Sequence, residues 1–516
     1  MSNSVISNLS FLQNRLTLTT TKIIALIAAL LFLILAVSLS HTIEVGELAD
    51  QLEVFFSGFV HLLEKTIFFE INGIPLIVTW LLMGGIFFTL RMGFINIRGL
   101  KHALDVVRGK YDEEEEEGSV SHFQALTTAL SGTVGIGNIA GIAIAINMGG
   151  PGAVLWIALT GVLGMSIKFV ECTLGQKYRQ IKPDGTIAGG PMYYLDIGLD
   201  KLGLAKLGKF LAVIYAFFCM TSTLGGSSMF QANQSCAGLV SVMPFLADFT
   251  WLYGVLLALL VGVVIIGGIE RIGSVAEKIV PLMAGVYLAA CIWVLTANFS
   301  LIPTALHTIV DQAFQPEAAY GGALGVFIIG FRRSVFSNEA GVGSAAIVHS
   351  TAKTKEPIRE GIVASLEPLI DTVIICNMTA LVIVITGVYQ DGLLNGSQLT
   401  SASFATVIGW FPYVVAIAGF LFAFSTMISW SYYGERAWEY LWGSKTLIIY
   451  KLIFLGCVLI GSVINLEVVL EFSDMMLLAM TVPNLLGCYL MSSQIAGDLR
   501  SYMERLRSQK SEIRKV

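Results

Sequence analysis

Residues 132–138 read GTVGIGN, and residues 336–344 read FSNEAGVGS. Each stretch places glycines and polar side chains in the middle of an apolar segment that is long enough to cross a bilayer. Backbone without helical hydrogen bonds is costly in hydrocarbon and survives only where protein or a cavity covers it. Paired interruptions in the two halves of a membrane protein therefore indicate the substrate and ion sites of a secondary transporter.

The composition is that of a membrane protein. Of 516 residues, 55% are hydrophobic and 13% are charged, whereas soluble domains carry about 25% charged residues. The net charge of −5 is small, and no basic patch interleaved with aromatic residues indicates nucleic-acid binding. We therefore predict a multi-pass helical bundle whose surroundings are the lipid bilayer, with no nucleic acid as partner.

Residues 1–74 are predicted to form an N-terminal extension. The apolar run at residues 23–39 is interpreted as an anchor helix rather than a cleaved signal peptide, because a long polar leader precedes it. An amphipathic stretch at about residues 48–71 is expected on the membrane surface or against the bundle. The transporter domain then covers residues 75–498, and residues 499–516 form a basic cytoplasmic tail.

The transporter domain is predicted to contain a peripheral span at residues 75–95 and ten core spans. The core spans are expected at residues 121–147, 152–178, 207–240, 250–270, 275–297, 321–349, 358–388, 412–441, 446–464 and 467–493. Lys and Arg occur in alternate connections, which places both ends of the core in the cytoplasm. Because the breaks fall in core spans 1 and 6, we predict an all-α fold with a five-plus-five inverted repeat.

The first break also matches the dinucleotide fingerprint GxGxxA at residues 135–140. That fingerprint requires a preceding strand, whereas apolar helical stretches flank the break here. In a transporter, free N–H groups at a half-helix N-terminus hold a carboxylate, and free carbonyls at the other half-helix end coordinate a cation. One ligand that uses both is an amino-acid zwitterion. Glycine-mediated helix packing is the alternative, but packing alone requires neither Thr133 nor Asn138 in mid-span.

The second break contains the ionisable residues Arg332, Arg333 and Glu339. Ionisable residues inside a span indicate function by default. Pairing of the arginines with Glu339, or capping of free carbonyls by them, is an equally weighted structural alternative. Gly341 and Gly343 are the stronger candidates for ligand contact.

Core span 8 carries two adjacent hydroxyls, Ser425 and Thr426, near its middle. Neutral hydroxyl and carbonyl oxygens suit a singly charged hard cation. Hydroxyls that bond to carbonyls of their own helix are an equally weighted alternative. In core span 3, the amides of Gln231 and Asn233 by themselves favour a role in joining helices.

The remaining carboxylates give no sign of catalysis. Glu171, Glu367 and Asp371 are expected near helix ends, in interfacial or structural roles. No nucleophile occurs in a pattern with a base and an orienting partner, so we predict neither an enzyme nor a covalent cofactor. A channel would need a continuous polar stripe along several spans, and no strong candidate for a carboxylate facing the site is visible, which disfavours proton coupling.

Long motifs around these residues resemble the alanine-or-glycine:cation symporter family from about residue 75 to residue 498. The motifs are HFQAL at residues 122–126, GGPGA at 149–153, KFVE at 168–171, GGPMYY at 189–194, FSNEAG at 336–341 and FSTMISWSYYGE at 424–435. The resemblance implies a leucine-transporter-like fold and sodium-driven uptake of alanine or glycine across a bacterial-type inner membrane.

The resemblance also implies a role for individual residues. The implied substrate site comprises Thr133, Gly135, Ile136, Gly137, Gln231, Phe331, Gly341 and Trp430. The first four would meet the substrate carboxylate, the glutamine would orient the ligand, and the last three would close the pocket. The coupling ion, sodium, would lie between the carbonyls near Gly132 and Gly135 and the side chains of Ser425 and Thr426.

The chain departs from the family pattern in three places. The family usually begins near residue 75, so the N-terminal helices are additions. Ile136 stands where a smaller or polar residue would also fit, and Ser334 stands where glycine is expected. Both substitutions alter the size of the pocket. The alternative to an alanine or glycine symporter is therefore a transporter of a different amino acid, such as glutamine, or a proton-coupled transporter.

Overall fold

The computed structural model describes residues 58, 70–71, 74–112, 117–183, 185–315, 322–464 and 466–513. The predicted anchor helix at residues 23–39, nearly all of the amphipathic stretch and the last three residues lie outside these ranges. Strand structure in the described ranges is confined to two short antiparallel pairs and one isolated bridge. The pairs are Glu70–Ile71 with Ile74–Pro75, and Gln180–Ile181 with Ile187–Ala188.

The other secondary-structure elements of the described residues are helices. The first half of the chain begins with the peripheral helix Leu76–Arg91 and the short helices Ile95–Arg98 and Leu100–Val107. Core span 1 consists of His122–Thr133, Ile136–Asn138 and Ala140–Gly149, core span 2 is Ala153–Lys177, and a connecting turn follows at Pro191–Tyr193 and Tyr194–Gly198. Core span 3 consists of Ala205–Leu224, Gly225–Met229 and Phe230–Val242, and after the turn Pro244–Phe249, core span 4 is Thr250–Ile265 and core span 5 is Gly268–Ala297.

The second half follows the same plan. It begins with Phe299–Leu301 and Ile302–Gln312, and core span 6 consists of Gly322–Asn338 and Ala345–His349. Core span 7 consists of Pro357–Ala364, Leu366–Pro368, Leu369–Cys376 and Asn377–Thr386, and the connection after it contains Val388–Asp391 and Gly396–Ala405. Core span 8 is Phe411–Trp442, and after the turn Ser444–Thr446, core span 9 is Leu447–Gly461 and core span 10 is Leu466–Ile513.

Eight of the described helices are long and apolar enough to cross a membrane, and nine are if the bent pair of core span 1 counts as one. The prediction of a mostly helical membrane fold is therefore confirmed. Core span 6 differs from a simple span, because its two helices contain 17 and 5 residues. The inverted relation of the two halves and the orientation of the termini stay predictions.

Both predicted breaks are real interruptions of the helix. At the first, the two halves of core span 1 meet at an angle of 56°, and Gly135 takes an extended conformation. At the second, Glu339, Gly341 and Gly343 have φ values of 56°, 92° and 82°. Positive φ is easily adopted by glycine but is strained for other residues, so Glu339 is held in its conformation by its surroundings.

Glycines let the spans approach closely where the bundle is densest. A Cβ on Gly330 in core span 6 would lie 2.6 Å from the Ala153 carbonyl of core span 2. A Cβ on Gly461 in core span 9 would lie 2.4 Å from Met229 of core span 3. Contacts between small residues are a main source of packing energy between helices in lipid, where the hydrophobic effect is weak.

Candidate substrate and ion site

A cavity lies where the two broken spans meet core spans 3, 8 and 10. Its lining consists of Gly132, Thr133, Gly135, Gly137, Gly226, Ser227, Gln231, Phe336, Glu339, Thr426, Trp430 and Leu477. Its open volume is about 20 Å³, little more than one water molecule requires. An occupant of amino-acid size would therefore require the surrounding spans to separate slightly.

The first break leaves one backbone donor free at the cavity. The Gly135 amide donates to Asn138 Oδ1 at 2.9 Å, and the Ile136 amide donates to Gln231 Oε1 at 3.1 Å. The Gly137 amide has no acceptor among the residues that the structure describes. Gln231 thus acts on the break itself, since its side chain fixes the backbone beside which a ligand would lie.

Core span 8 joins the first break through hydroxyl groups. Thr426 Oγ1 donates to the Ser131 carbonyl at 3.0 Å, and Ser131 Oγ donates to the Ser425 carbonyl at 2.6 Å. A Cβ on Gly135 would lie 2.5 Å from Thr426 Oγ1, so this hydroxyl sits directly against the break. Ser425 Oγ instead donates to the Phe422 carbonyl of its own helix at 3.0 Å and contacts Met283. The two hydroxyls therefore face different neighbours.

The second break contributes a buried carboxylate to the cavity. Glu339 is 3% exposed. Its Oε1 accepts a hydrogen bond from Trp430 Nε1 at 2.8 Å, and its Oε2 accepts one from the Ser344 hydroxyl. The prediction that no strong carboxylate candidate would face the site is wrong, because sequence alone did not show that the strained backbone of the break turns this side chain inward.

The predicted substrate residues divide into two groups in space. Thr133, Gly135, Gly137, Gln231 and Trp430 line the cavity. The Ile136 amide is linked to the cavity by its hydrogen bond to Gln231, whereas the Ile136 side chain lines a second small cavity toward core span 8.

Phe331 and Gly341 lie elsewhere. Phe331 lines a separate cavity against the peripheral helix. A Cβ on Gly341 would meet Leu81 of that helix at 2.3 Å, and the Gly341 carbonyl accepts from Asn484 at 2.7 Å. The aromatic ring of core span 6 that reaches the cavity is Phe336, whose ring carbons would lie 3.5 Å from a Cβ on Gly137.

The carboxylates expected near helix ends are instead wholly buried. Asp371 of core span 7 accepts hydrogen bonds from Asn138 at 2.6 Å and from Ser337 at 2.6 Å. Because Asn138 belongs to the first break and Ser337 to the second, Asp371 ties the two breaks together. Glu171 accepts from Asn484 at 2.5 Å. Of the two roles predicted for these carboxylates, interfacial or structural, the interfacial one is wrong for both residues, and their buried contacts agree with the structural one.

A chain of buried ionisable groups links several of the core spans. Lys168 Nζ lies 3.2 Å from Glu367, and His349 lies between Glu367 and Glu360, at 2.7 Å and 2.5 Å. Glu360 also contacts His122, the first residue of core span 1. Burial of paired charges is tolerated when each group has close partners. The chain holds the short second helix of core span 6 to core spans 1, 2 and 7.

The ion pair of Arg333 is formed with core span 10 and not with Glu339. Arg333 forms an ion pair with Asp474 of core span 10, and its guanidinium lies over the Phe336 ring at 5.2 Å. This pair leaves the Glu339 carboxylate to Trp430 and Ser344.

Comparison with known proteins identifies the family. The sequence matches the sodium:alanine symporter family over residues 59–516. The chain belongs to that family. It is 40% identical over 437 residues to a sodium/alanine symporter, AgcS, of Methanococcus maripaludis, with 83% of this chain and 94% of AgcS covered. It is 34% identical over 441 residues to a probable sodium/glutamine symporter, GlnT, of Bacillus subtilis, with 85% and 90% covered.

A solved structure supports the same fold. MhsT, crystallised in complex with L-phenylalanine, aligns with a TM-score of 0.51 over 72% of this chain and 88% of MhsT, at 14% identity. The likeness shows a shared leucine-transporter-like fold. This member of the sodium:alanine symporter family is thus a cation-coupled amino-acid symporter and a multi-pass membrane protein, and it is not an enzyme.

The sequence motifs do not single out several of the residues that line the cavity of this symporter. Gly226 and Ser227 belong to a π-helical turn, Gly225–Met229, in core span 3. Such turns occur often at functional sites. The sequence signal was the run Gly-Gly-Ser-Ser at residues 225–228 inside an apolar span. Leu477 of core span 10 carried no signal, because it is one apolar residue among many.

Proposed function

We propose that this symporter couples inward sodium flow to the uptake of a small neutral amino acid, alanine or glycine, by alternating access in the inner membrane. The observation that carries the proposal is the cavity between the two breaks: one wall has the Gly137 amide, which has no acceptor among the described residues, and another has the Glu339 carboxylate. Its small open volume and its walls of Phe336, Trp430 and Leu477 favour a ligand with a short apolar side chain.

In this proposal the first break binds the carboxylate of the zwitterionic substrate, and the second break binds its ammonium group. The substrate carboxylate accepts from the Gly137 amide, and also from the Ile136 amide once Gln231 turns to the ligand. Thr133 adds a hydroxyl at the same wall. Amides at an interrupted helix are suited to an anion because their donors are unpaired and oriented.

The substrate ammonium group is assigned to Glu339. Its carboxylate lies in the cavity wall and is oriented by Trp430 and Ser344. A buried carboxylate is stabilised more by a hydrogen bond from a cationic group than by one from a neutral donor. Phe331 and Gly341 act indirectly in this arrangement, because they pack against the peripheral helix.

Sodium is assigned to the oxygen atoms between the first break and core span 8. Thr426 Oγ1 and the Ser131 carbonyl are already adjacent at 3.0 Å, and Gly132 and Gly135 line the same wall. Neutral oxygens of this kind suit a singly charged hard cation. Ser425 is the weaker ligand of the predicted pair, since its hydroxyl is engaged by Phe422.

Uptake into proteoliposomes tests the proposal. Radiolabelled alanine or glycine should accumulate under an inward sodium gradient and not when choline replaces sodium. Thr426→Val should raise the sodium concentration needed for half-maximal uptake. A matched control is Thr386→Val, which should leave sodium activation unchanged, because the Thr386 hydroxyl donates to the Val382 and Ile383 carbonyls of its own helix. Accumulation without sodium, in folded protein, would refute the sodium assignment.

Proton coupling is the second candidate, and Glu339 is the observation that favours it, because a carboxylate in the cavity wall can carry a proton. Under this candidate, Glu339→Gln would abolish accumulation driven by a proton gradient while leaving exchange of internal for external substrate intact. Under sodium coupling, the same variant would raise the KM for the amino acid in both assays. Competition of labelled alanine uptake by unlabelled glutamine tests the larger substrate named for the relative GlnT.

A further inference from the structure

A basic groove lies far from the substrate cavity, between the end of the peripheral helix and the last turns of core span 10. The groove has a volume of about 250 Å³. Four of its lining residues are arginines and one is a glutamate: Arg91, Arg98, Arg500, Arg507 and Glu504. An excess of guanidinium groups around one groove makes it a site for an anion.

The local fold brings these arginines together from distant parts of the chain. The peripheral helix ends at Arg91, and Gly93 and Phe94 then adopt φ values of 61° and 58°. This tight turn returns the chain so that Arg98 faces the groove from the next short helix. Arg500 and Arg507 come from the opposite wall, where they lie seven positions, or about two turns, apart on core span 10.

Among the side chains that the structure describes, no carboxylate forms an ion pair with the guanidinium groups of the groove. Arg91 donates to Ser493 Oγ at 2.9 Å, and Arg98 donates to the Met92 carbonyl at 3.5 Å. Neither Arg500 nor Arg507 forms an ion pair with a residue whose side chain the structure describes. Planar guanidinium groups with free donors are well matched to phosphate oxygens.

Apolar side chains surround the groove. Its floor includes the buried side chains of Met92 and Leu499. Next to it in the chain, Leu90, Phe94 and Ile97 are 62%, 49% and 64% exposed. Arginines at the end of an apolar helix, beside exposed apolar side chains, are placed at the level where a phospholipid changes from headgroup to acyl chain.

We propose that this groove binds the phosphate headgroup of an anionic phospholipid, with the acyl chains along Leu90, Phe94 and Ile97. The face of the bundle that carries it is the one that the distribution of Lys and Arg predicts to be cytoplasmic. Basic pockets between spans on that face are known to hold anionic lipid headgroups. The site is independent of the substrate cavity and of the ion that drives transport.

Native mass spectrometry of the full-length chain in a neutral detergent tests the proposal, with dioleoylphosphatidylglycerol and dioleoylphosphatidylcholine as probes. The protein should bind the anionic lipid more tightly than the zwitterionic one. The variant R98Q/R500Q/R507Q should lose about fivefold in affinity for phosphatidylglycerol per arginine removed, since each basic residue near an anionic lipid contributes about 1 kcal/mol. Its affinity for phosphatidylcholine should not change.

The matched control removes the same charge from exposed cations outside the groove, as K101Q/R108Q/K206Q. This control should keep the preference for phosphatidylglycerol. An equal loss in the control would show that net charge alone is responsible and would overturn the proposal. So would displacement of the lipid by an equimolar concentration of inorganic phosphate, which would identify a free-anion site. If the triple variant does not fold, the single variant R507Q, at an exposed position of core span 10, should still lose about fivefold in affinity for phosphatidylglycerol.

Discussion

Replacing Gly135 by alanine tests the geometry of the first break most directly. The added Cβ would lie 2.5 Å from Thr426 Oγ1 and 3.3 Å from Gln231 Oε1. The first distance is far below van der Waals contact, so the break and core span 8 would have to separate. The backbone of Gly135 is extended, with φ −122° and ψ −164°, and alanine adopts such a conformation without strain. The effect would therefore come from overpacking alone.

The expected cost follows from that geometry. Overpacking of a well-filled interior costs about 1–3 kcal/mol, and the neighbouring cavity, with about 20 Å³ of open volume, offers little space to absorb a methyl group. We expect a lower midpoint of thermal unfolding and loss of sodium-dependent uptake. The double variant G135A/T426A should recover about 0.5–3 kcal/mol relative to additivity, because the clashing oxygen is gone, but it should not recover sodium activation.

Two other glycines of the same broken span provide a graded comparison. A Cβ on Gly137 would make an ordinary contact of 3.5 Å with Phe336, so G137A should keep its stability and lose affinity for the substrate. A Cβ on Gly141 would meet nothing within 4 Å, and G141A should be as stable as the parent or up to about 1 kcal/mol more stable. Equal stability and uptake in G135A and G141A would refute the described contact between the first break and core span 8.

Three further changes probe the polar contacts around the cavity. Asp371→Asn replaces a carboxylate that accepts from both breaks with a weaker acceptor, and should lower the free energy of unfolding by about 1–3 kcal/mol, as measured by thermal unfolding. Trp430→Phe removes the donor to Glu339 and should raise the KM for the amino acid with little change in stability; an unchanged KM in proteoliposome uptake would contradict its role. His349→Gln separates two buried carboxylates from their shared partner and should cost about 3–5 kcal/mol, so a melting midpoint like that of the parent would count against the ion chain.

The positions of the spans and of both breaks could be predicted because lipid imposes a strong rule. A segment that crosses the bilayer must be apolar and helical, so an interruption by glycine and polar residues is visible in the sequence. The break at residues 132–138 and the positive φ values at Gly341 and Gly343 follow from that rule.

The rotation of each span about its axis could not be predicted in the same way. In a soluble helix, the apolar face shows which side is buried, whereas the helices here are apolar on both sides, and the lipid-facing side chains resemble the core. For this reason nothing in the sequence pattern corrected the resemblance, which implied that Phe331 closes the pocket, whereas Phe336, five residues later, reaches the cavity. It also left the partner of Arg333 undetermined, since Asp474 is more than one hundred positions away in the chain.

The distribution of polar contacts indicates which parts of the bundle would move together. Asp371 joins core spans 1, 6 and 7, and the ion chain from Lys168 to His122 adds core span 2 to the same group. These four spans are therefore linked by buried charge-assisted contacts, which are costly to break.

The contacts between this group and core spans 3 and 8 have a different character. They consist largely of neutral hydrogen bonds at the cavity, from the Ile136 amide to Gln231 Oε1 and from Thr426 Oγ1 to the Ser131 carbonyl, together with the Trp430 contact to Glu339. Neutral hydrogen bonds contribute about 0.5–1.5 kcal/mol each, so they can open and close on ligand binding. The same residues line the cavity, and an ion or amino acid bound there would replace the contacts that hold the two parts together. Under the proposed alternating access, binding at this position would act on the junction between these two groups of spans.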